Sequence, residues 1–178
     1  MNKPTIWFDQ DGTLNYFEKG IGPDPTMEPG FFIGRTPIYN VVFAVQRLYR
    51  TGMFEIATAS SVYPLEHVVP EKNKWLDMNG LEFIKERVNI PYDTRKSEIM
   101  RQHIKPGDIF IDDYTKNLKD VIEEFGDDVL AIKLVNDIND TNHSWKGARV
   151  SAFSKPGVIA DTIAGLSLMH QRKLEKLA

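Results

Sequence analysis

The 178-residue chain carries 22 basic and 25 acidic residues, a net charge of −3, with 42% hydrophobic and 26% charged residues. That length suffices for one well-buried core and falls short of two ordinary domains, so residues 1–178 are expected to form a single domain. The charge balance disfavours a nucleic-acid polymer as partner, the lack of cysteine excludes disulfides and thiolate metal sites, and no apolar run reaches the roughly 20 residues of a membrane span. With no long apolar core at its start, the sequence is expected in the cytoplasm.

Taken in chain order, Thr5, Ile6, Trp7 and Phe8 form a short β-prone run that stops at the turn signal Asp9-Gln10-Asp11-Gly12. Thr36 and Pro37 predict a helix start, followed by one apolar face of Ile38, Val41, Val42, Val45 and Leu48 that ends before Gly52. Residues 54–57 are the next expected strand. A second helix is expected from near Pro70, through Trp75 and Leu76, to Gly80, and a weaker strand lies near 87–90. A short helix from Lys96 precedes a buried strand at 108–111, which ends at Asp112-Asp113. A helix through Leu118, Val121 and Ile122 then runs to Gly126, and residues 129–135 supply a fifth strand. An irregular polar stretch follows, and Ile159, Ile163, Leu166, Met169 and Leu174 mark a closing helix. Alternating strand and helix imply an α/β fold of Rossmann-like type, a parallel sheet of about five strands with helices on both faces. In such folds ligands bind beyond the carboxyl ends of the strands.

Those ends carry a complementary set of groups: Asp9 with Asp11, Thr58, Lys96, and Asp112 with Asp113. Two carboxylates two apart can project to one side, so that one attacks phosphorus while the other handles protons. A carboxylate nucleophile forms an acyl-phosphate and divides a difficult hydrolysis into two easier steps. Nucleophile and phosphate are both anionic, so a cation must hold them together. Asp9, Asp112 and Asp113 offer the hard oxygen ligands that Mg2+ prefers. Lys96 would offset phosphoryl charge, and the Thr58 hydroxyl would donate to a phosphoryl oxygen. Taken singly, the same residues also suit a solvated turn, a strand-end cap, a surface charge and a helix cap.

Asp9-Gln10-Asp11-Gly12-Thr13-Leu14, Thr58, Lys96 and Asp112-Asp113 resemble the four ordered motifs of haloacid-dehalogenase-like phosphatases. Glu28-Pro29-Gly30-Phe31-Phe32, Ile56-Ala57-Thr58, Glu71-Lys72-Asn73-Lys74-Trp75 and Thr94-Arg95-Lys96 are similar to the 5′(3′)-deoxyribonucleotidase branch of that superfamily. The resemblance implies Asp9 as nucleophile and Asp11 as general acid, then base. It also implies a metal site completed by the Asp11 backbone carbonyl, Asp113 being the first choice of the acidic pair, and Phe17 beside the substrate. It implies Mg2+ as cofactor and a small phosphorylated substrate, with a deoxyribonucleoside 5′-monophosphate as the best match. A sugar phosphate, a nucleic-acid end or a non-catalytic phosphate module are the alternatives. A receiver-like phosphoacceptor domain fits poorly, because here the second acidic pair follows the lysine. The chain departs from the branch at Gln10, where an apolar residue is usual, and in its cap, for which only about residues 15–35 are available. The polar stretch 136–147 follows the fifth strand, and its Trp145 is expected to supply a base-stacking face there.

Overall fold

The computed structural model describes residues 3–17, 28–137 and 144–177. Its order is β1 (Thr5–Phe8), α1 (Tyr39–Arg50), β2 (Glu55–Val62), α2 (Val68–Met78), β3 (Glu86–Pro91), α3 (Lys96–Met100), β4 (Ile109–Asp112), α4 (Thr115–Phe125), β5 (Leu130–Val135), β6 (Ala148–Ser151) and α5 (Pro156–Leu177). Six strands, not about five, form one sheet in the order β3-β2-β1-β4-β5-β6, and every pairing is parallel. No helix among the described residues is long and apolar enough to cross a membrane.

Alternation along the strands divides the core into two layers. Ile6, Phe8, Ile109, Ile111, Ile132 and Leu134 pack with α1, α2 and α5 on one face. Trp7, Ala57, Ala59 and Phe110 pack with Met100 of α3 and with Leu118 and Val121 of α4 on the other. Because both faces are covered, central strands read as continuous apolar runs, which made β1 and β4 visible in the sequence.

The structure differs from expectation in β2, α1 and β6, and by one residue in β4. Strand β2 runs on to Val62, since Thr58, Ala59 and Ser60 are small enough to be covered from both sides and carry little hydropathic signal. Helix α1 begins at Tyr39 and not at Pro37, because Tyr16 N donates to Thr36 O and Ile38 N to Leu14 O, which holds Thr36 and Pro37 extended against the turn after β1. Strand β6 falls in the stretch read as irregular. It is a four-residue edge strand in which Val150 alone is buried, too short for a period-2 pattern.

The β4 run expected from Asp108 starts one residue later, and Asp108 has a task of its own. Buried at the amino end of β4, its carboxylate accepts Thr5 N at 2.8 Å, Lys105 N at 3.0 Å and the Trp7 indole N–H at 3.1 Å. The far end of the strand is Asp112. Strands leave β1 in opposite directions, β2 and β3 on one side and β4 to β6 on the other, so the chain reverses its order beside β1. The turns after β1 and β4 diverge there and open a crevice at the carboxyl ends.

Candidate active site

Asp9 is the first residue beyond β1, its backbone N–H still held by Ile111 O at 2.9 Å. Lys96, the first residue of α3, reaches under it. The Lys96 Nζ donates to Asp9 Oδ1 at 2.7 Å, Asp112 Oδ2 at 2.9 Å and Ala59 O at 3.0 Å. An ammonium has three N–H donors, so one buried lysine ties β1, β2 and β4 together at their carboxyl ends. Asp112 also accepts Tyr114 N at 2.7 Å and Asn117 Nδ2 at 2.9 Å. Thr13 Oγ1 receives the Asp113 N–H at 3.1 Å and lies 3.5 Å from Asp113 Oδ1.

Burial is the main cause that pushes the Asp9 carboxyl up to about 7, with Asp112 and Asp11 adding to it and Lys96 opposing. For Lys96 burial works against the charge, but Asp112 and Asp9 outweigh it and hold the ammonium above the usual lysine range. Asp9, Asp112 and Asp113 each offer a carboxylate oxygen, all within 4.8 Å of one another. Three carboxylates against one ammonium form a hard, anionic oxygen set, which fits Mg2+.

Asp11 faces a second buried lysine. Lys72 Nζ lies 2.5 Å from Asp11 Oδ2 and donates also to Ser61 O at 2.7 Å and Ser60 Oγ at 2.8 Å. Asn15 Nδ2 donates to Asp11 Oδ1 at 3.3 Å. Gln10, the departure between the two aspartates, is buried and directs its amide to Lys72 O.

Gly12 turns the chain at φ +78°, and a Cβ there would stand 2.3 Å from Asp113 Oδ2. Gly12→Ala therefore displaces Asp113 in addition to straining the backbone by roughly 1–2 kcal/mol. The expected result is a lower melting temperature and at least about tenfold weaker Mg2+ binding by calorimetric titration, the second being the binding equivalent of about 1.4 kcal/mol. Unchanged metal affinity would separate Gly12 from the acidic cluster.

Asp9, Lys96, Asp112 and Asp113 thus come together as expected, with Asp11 beside them. Thr58 is buried opposite Phe8 in the register, one step short of Asp9, and the Ser60 hydroxyl accepts Lys72 Nζ. Phe17 is half-buried and packs edge-on against Phe31, which in turn meets Phe32. The expected cap at 15–35 can be followed at its two ends, residues 18–27 lying outside the described residues, as do 138–143 of the polar stretch.

Trp145 does not offer the expected stacking face. The residue is 4% exposed and belongs to the apolar layer that contains Leu118 and Val121, with Nε1 donating to Ala148 O at 2.9 Å. Tryptophan is costly to leave in water, and α4 supplies the cover that a local reading of a polar stretch could not reveal. Exposed aromatic rings lie elsewhere at the carboxyl edge. Tyr92 (61% exposed) and Tyr114 (57% exposed) line a groove of about 690 Å³ together with Ser61, Lys96, Lys116 and Asn117.

Lys72, Ser60, Thr13 and Asn117 carried no assigned role in the sequence. Lys72 did leave a signal: Val68, Lys72, Trp75 and Leu76 form the buried stripe of α2, and a lysine on an apolar stripe needs an internal partner.

No family model matches the chain, and no curated protein matches it. Solved structures do. D,D-heptose 1,7-bisphosphate phosphatase from Burkholderia thailandensis superposes with a TM-score of 0.58 at 12% identity, over 93% of this chain and 99% of that one. The N-terminal part of a Bacteroides fragilis protein containing a phosphatase domain, complexed with Mg, gives 0.55 at 18% identity over 79% of this chain. This chain spans 38% of the length of that one. The fold is the Rossmann-like haloacid-dehalogenase fold. Within it, Asp9 follows the central strand and Asp112 closes the strand beside it, so the acidic cluster sits at the switch point of the haloacid-dehalogenase sheet.

Proposed function

We propose that the chain is a magnesium-dependent phosphomonoesterase that works through an aspartyl-phosphate on Asp9. The observation that carries this reading is the Asp9, Lys96 and Asp112 cluster, with Asp113 in reach and Asp11 two residues on. An Asp9 carboxylate oxygen attacks phosphorus, the bond from phosphorus to the ester oxygen breaks, and Asp11 gives its proton to the leaving alkoxide. Asp11 then takes a proton from a water molecule, which attacks the aspartyl-phosphate and releases phosphate and free Asp9. Mg2+ held by Asp9, Asp112 and Asp113 would supply charge neutralisation between nucleophile and phosphate. Ser60 is the better placed hydroxyl to donate to a phosphoryl oxygen, since Lys72 occupies a lone pair on it and leaves its proton free to point elsewhere.

For the substrate, the reading is a nucleoside 5′-monophosphate, a deoxyribonucleotide first. Its support is the groove that begins at Lys96 and is walled by Tyr92 and Tyr114, which can stack on a flat base for about 1–3 kcal/mol. Phe17 would close the site from the other side. Lys116 and Lys119 in the same groove would also suit the second anionic group of a sugar bisphosphate.

Phosphate release from p-nitrophenyl phosphate, nucleoside monophosphates and sugar phosphates, each with Mg2+, Ca2+ or chelator, tests the proposal. Turnover should require Mg2+, fall strongly with Ca2+, whose looser shell positions the reactants less well, and favour the nucleotides. Equal turnover with Ca2+ would overturn the metal role. Tight phosphate binding without any release would make the chain a non-catalytic module.

A further inference from the structure

Two neighbouring residues of α2 grip different parts of the molecule. Glu71 accepts the backbone N–H of Gly30 at 2.5 Å and of Phe32 at 3.1 Å, one carboxylate oxygen to each. Lys72 turns to the site, where Asp11, Ser60 and Ser61 take all three of its donors. Phe32 joins the two grips, because its ring is buried 4.9 Å from the Lys72 ammonium while its amide is held by Glu71. A third contact on the same helix face, Trp75 Nε1 to Arg35 O at 2.6 Å, fixes the end of that segment. Lys72 is 1% exposed, and these three acceptors compensate the burial of its side chain.

We infer that Lys72 is a positioning residue, which orients the Asp11 carboxylate toward the leaving group and does so only when Glu71 holds the 28–35 segment seated. The inference rests on the phosphomonoesterase reading and names how that site is controlled. Lys72 has no donor left for the substrate, so its effect on the reaction runs through Asp11. The segment bearing Phe31 and Phe32 is the end of the stretch 15–35 expected to cap the site, and the Glu71 to Lys72 step links its seating to proton transfer. A loosened segment would leave Asp9 and Lys96 in place, since the Lys96 ammonium is bonded to Asp9, to Ala59 of β2 and to Asp112 of β4.

The test compares an alkyl phosphate, whose leaving group needs a proton, with p-nitrophenyl phosphate, whose leaving group hardly does. In Lys72→Met, kcat for the alkyl ester should fall on the order of 100-fold and for the activated ester less than about 5-fold, with KM and calorimetric Mg2+ affinity kept within about 2-fold. Added to Asp11→Asn, the same substitution should cost almost nothing further for the alkyl ester, because both act through one proton transfer. Glu71→Gln retains the Lys72 charge and stands as the second variant should Lys72→Met not fold. It should speed amide hydrogen exchange at Gly30 and Phe32 and produce the same ester-selective loss at smaller size. Equal losses on both esters, a rise in KM alone, full additivity with Asp11→Asn, or faster exchange in Glu71→Gln without ester selectivity would each overturn the inference by itself. A native chain inactive on both esters would overturn it together with the reading it rests on.

Discussion

Asp9→Asn is expected to lower turnover by on the order of 10⁴-fold or more while the metal-free protein becomes more stable above neutral pH. The first half follows from the loss of the protein oxygen that bonds phosphorus in the scheme, an effect of the size seen when a nucleophile is removed. The second half follows from burial, the main reason that the Asp9 carboxyl titrates near 7 in the fold, against 3.8 without it. Below about 4 the carboxyl is protonated in both states and contributes no difference. Between about 4 and 7 the folded chain keeps a proton that the unfolded chain releases, so this group lowers stability as pH rises, and above 7 the whole cost is present. The amide has the same shape without the charge and escapes that slope. Melting curves of both proteins in chelator should therefore coincide near pH 4 and separate by pH 8, the variant melting higher. A variant that melts lower at pH 8 would mean that attraction to Lys96 outweighs desolvation, and residual turnover near the native rate would remove Asp9 from the role of nucleophile.

Lys96→Met should have the largest effect on stability. Methionine fills much of the same space but leaves Asp9 and Asp112 buried without their shared counter-charge and Ala59 O without its donor. Breaking one side of a buried ion pair costs about 3–5 kcal/mol, a large part of the margin of a domain this size. Saturating Mg2+ should restore part of that loss, since a divalent cation bound by Asp9, Asp112 and Asp113 supplies positive charge to the same oxygens. Denaturant unfolding with and without Mg2+ measures both effects. A loss below about 1 kcal/mol in chelator would show the pair to be hydrated and weak.

Much of the fold was legible because the sheet is buried on both faces. β1 and β4 announce themselves as apolar runs closed by acidic pairs, and α1 and α4 show a single apolar stripe each. What could not be read depends on partners distant in sequence. β6 is strand by virtue of β5, and no four residues such as Ala-Arg-Val-Ser declare that alone. Trp145 looked like a ligand face because its cover comes from α4 rather than from its own segment. At the site, the residues directly after β1 and β4 were legible from order and chemistry. The contact of Ser60 with Lys72 was hidden because the sequence does not say where β2 ends. Lys72 stood in the motif Glu71-Lys72-Asn73-Lys74-Trp75 without a role of its own, although its place on the buried stripe of α2 was available to a stricter count of period.

Asp108 has the last consequence. Strand β4 carries an aspartate at each end, Asp108 held by Thr5, Trp7 and Lys105 and Asp112 held by Lys96, Tyr114 and Asn117. If β4 slid one residue along β1, Ile109 and Ile111 would exchange layers with Phe110, Asp108 would lose Thr5 and Trp7, and Asp112 would lose Lys96. The strand can therefore be threaded in one way only, and the spacing of Asp9 from Asp112 is proofread at the opposite edge of the protein. Alignment of the acidic cluster is inherited from the amino end of β4, so a substitution at Asp108 would surface as a displaced Asp112.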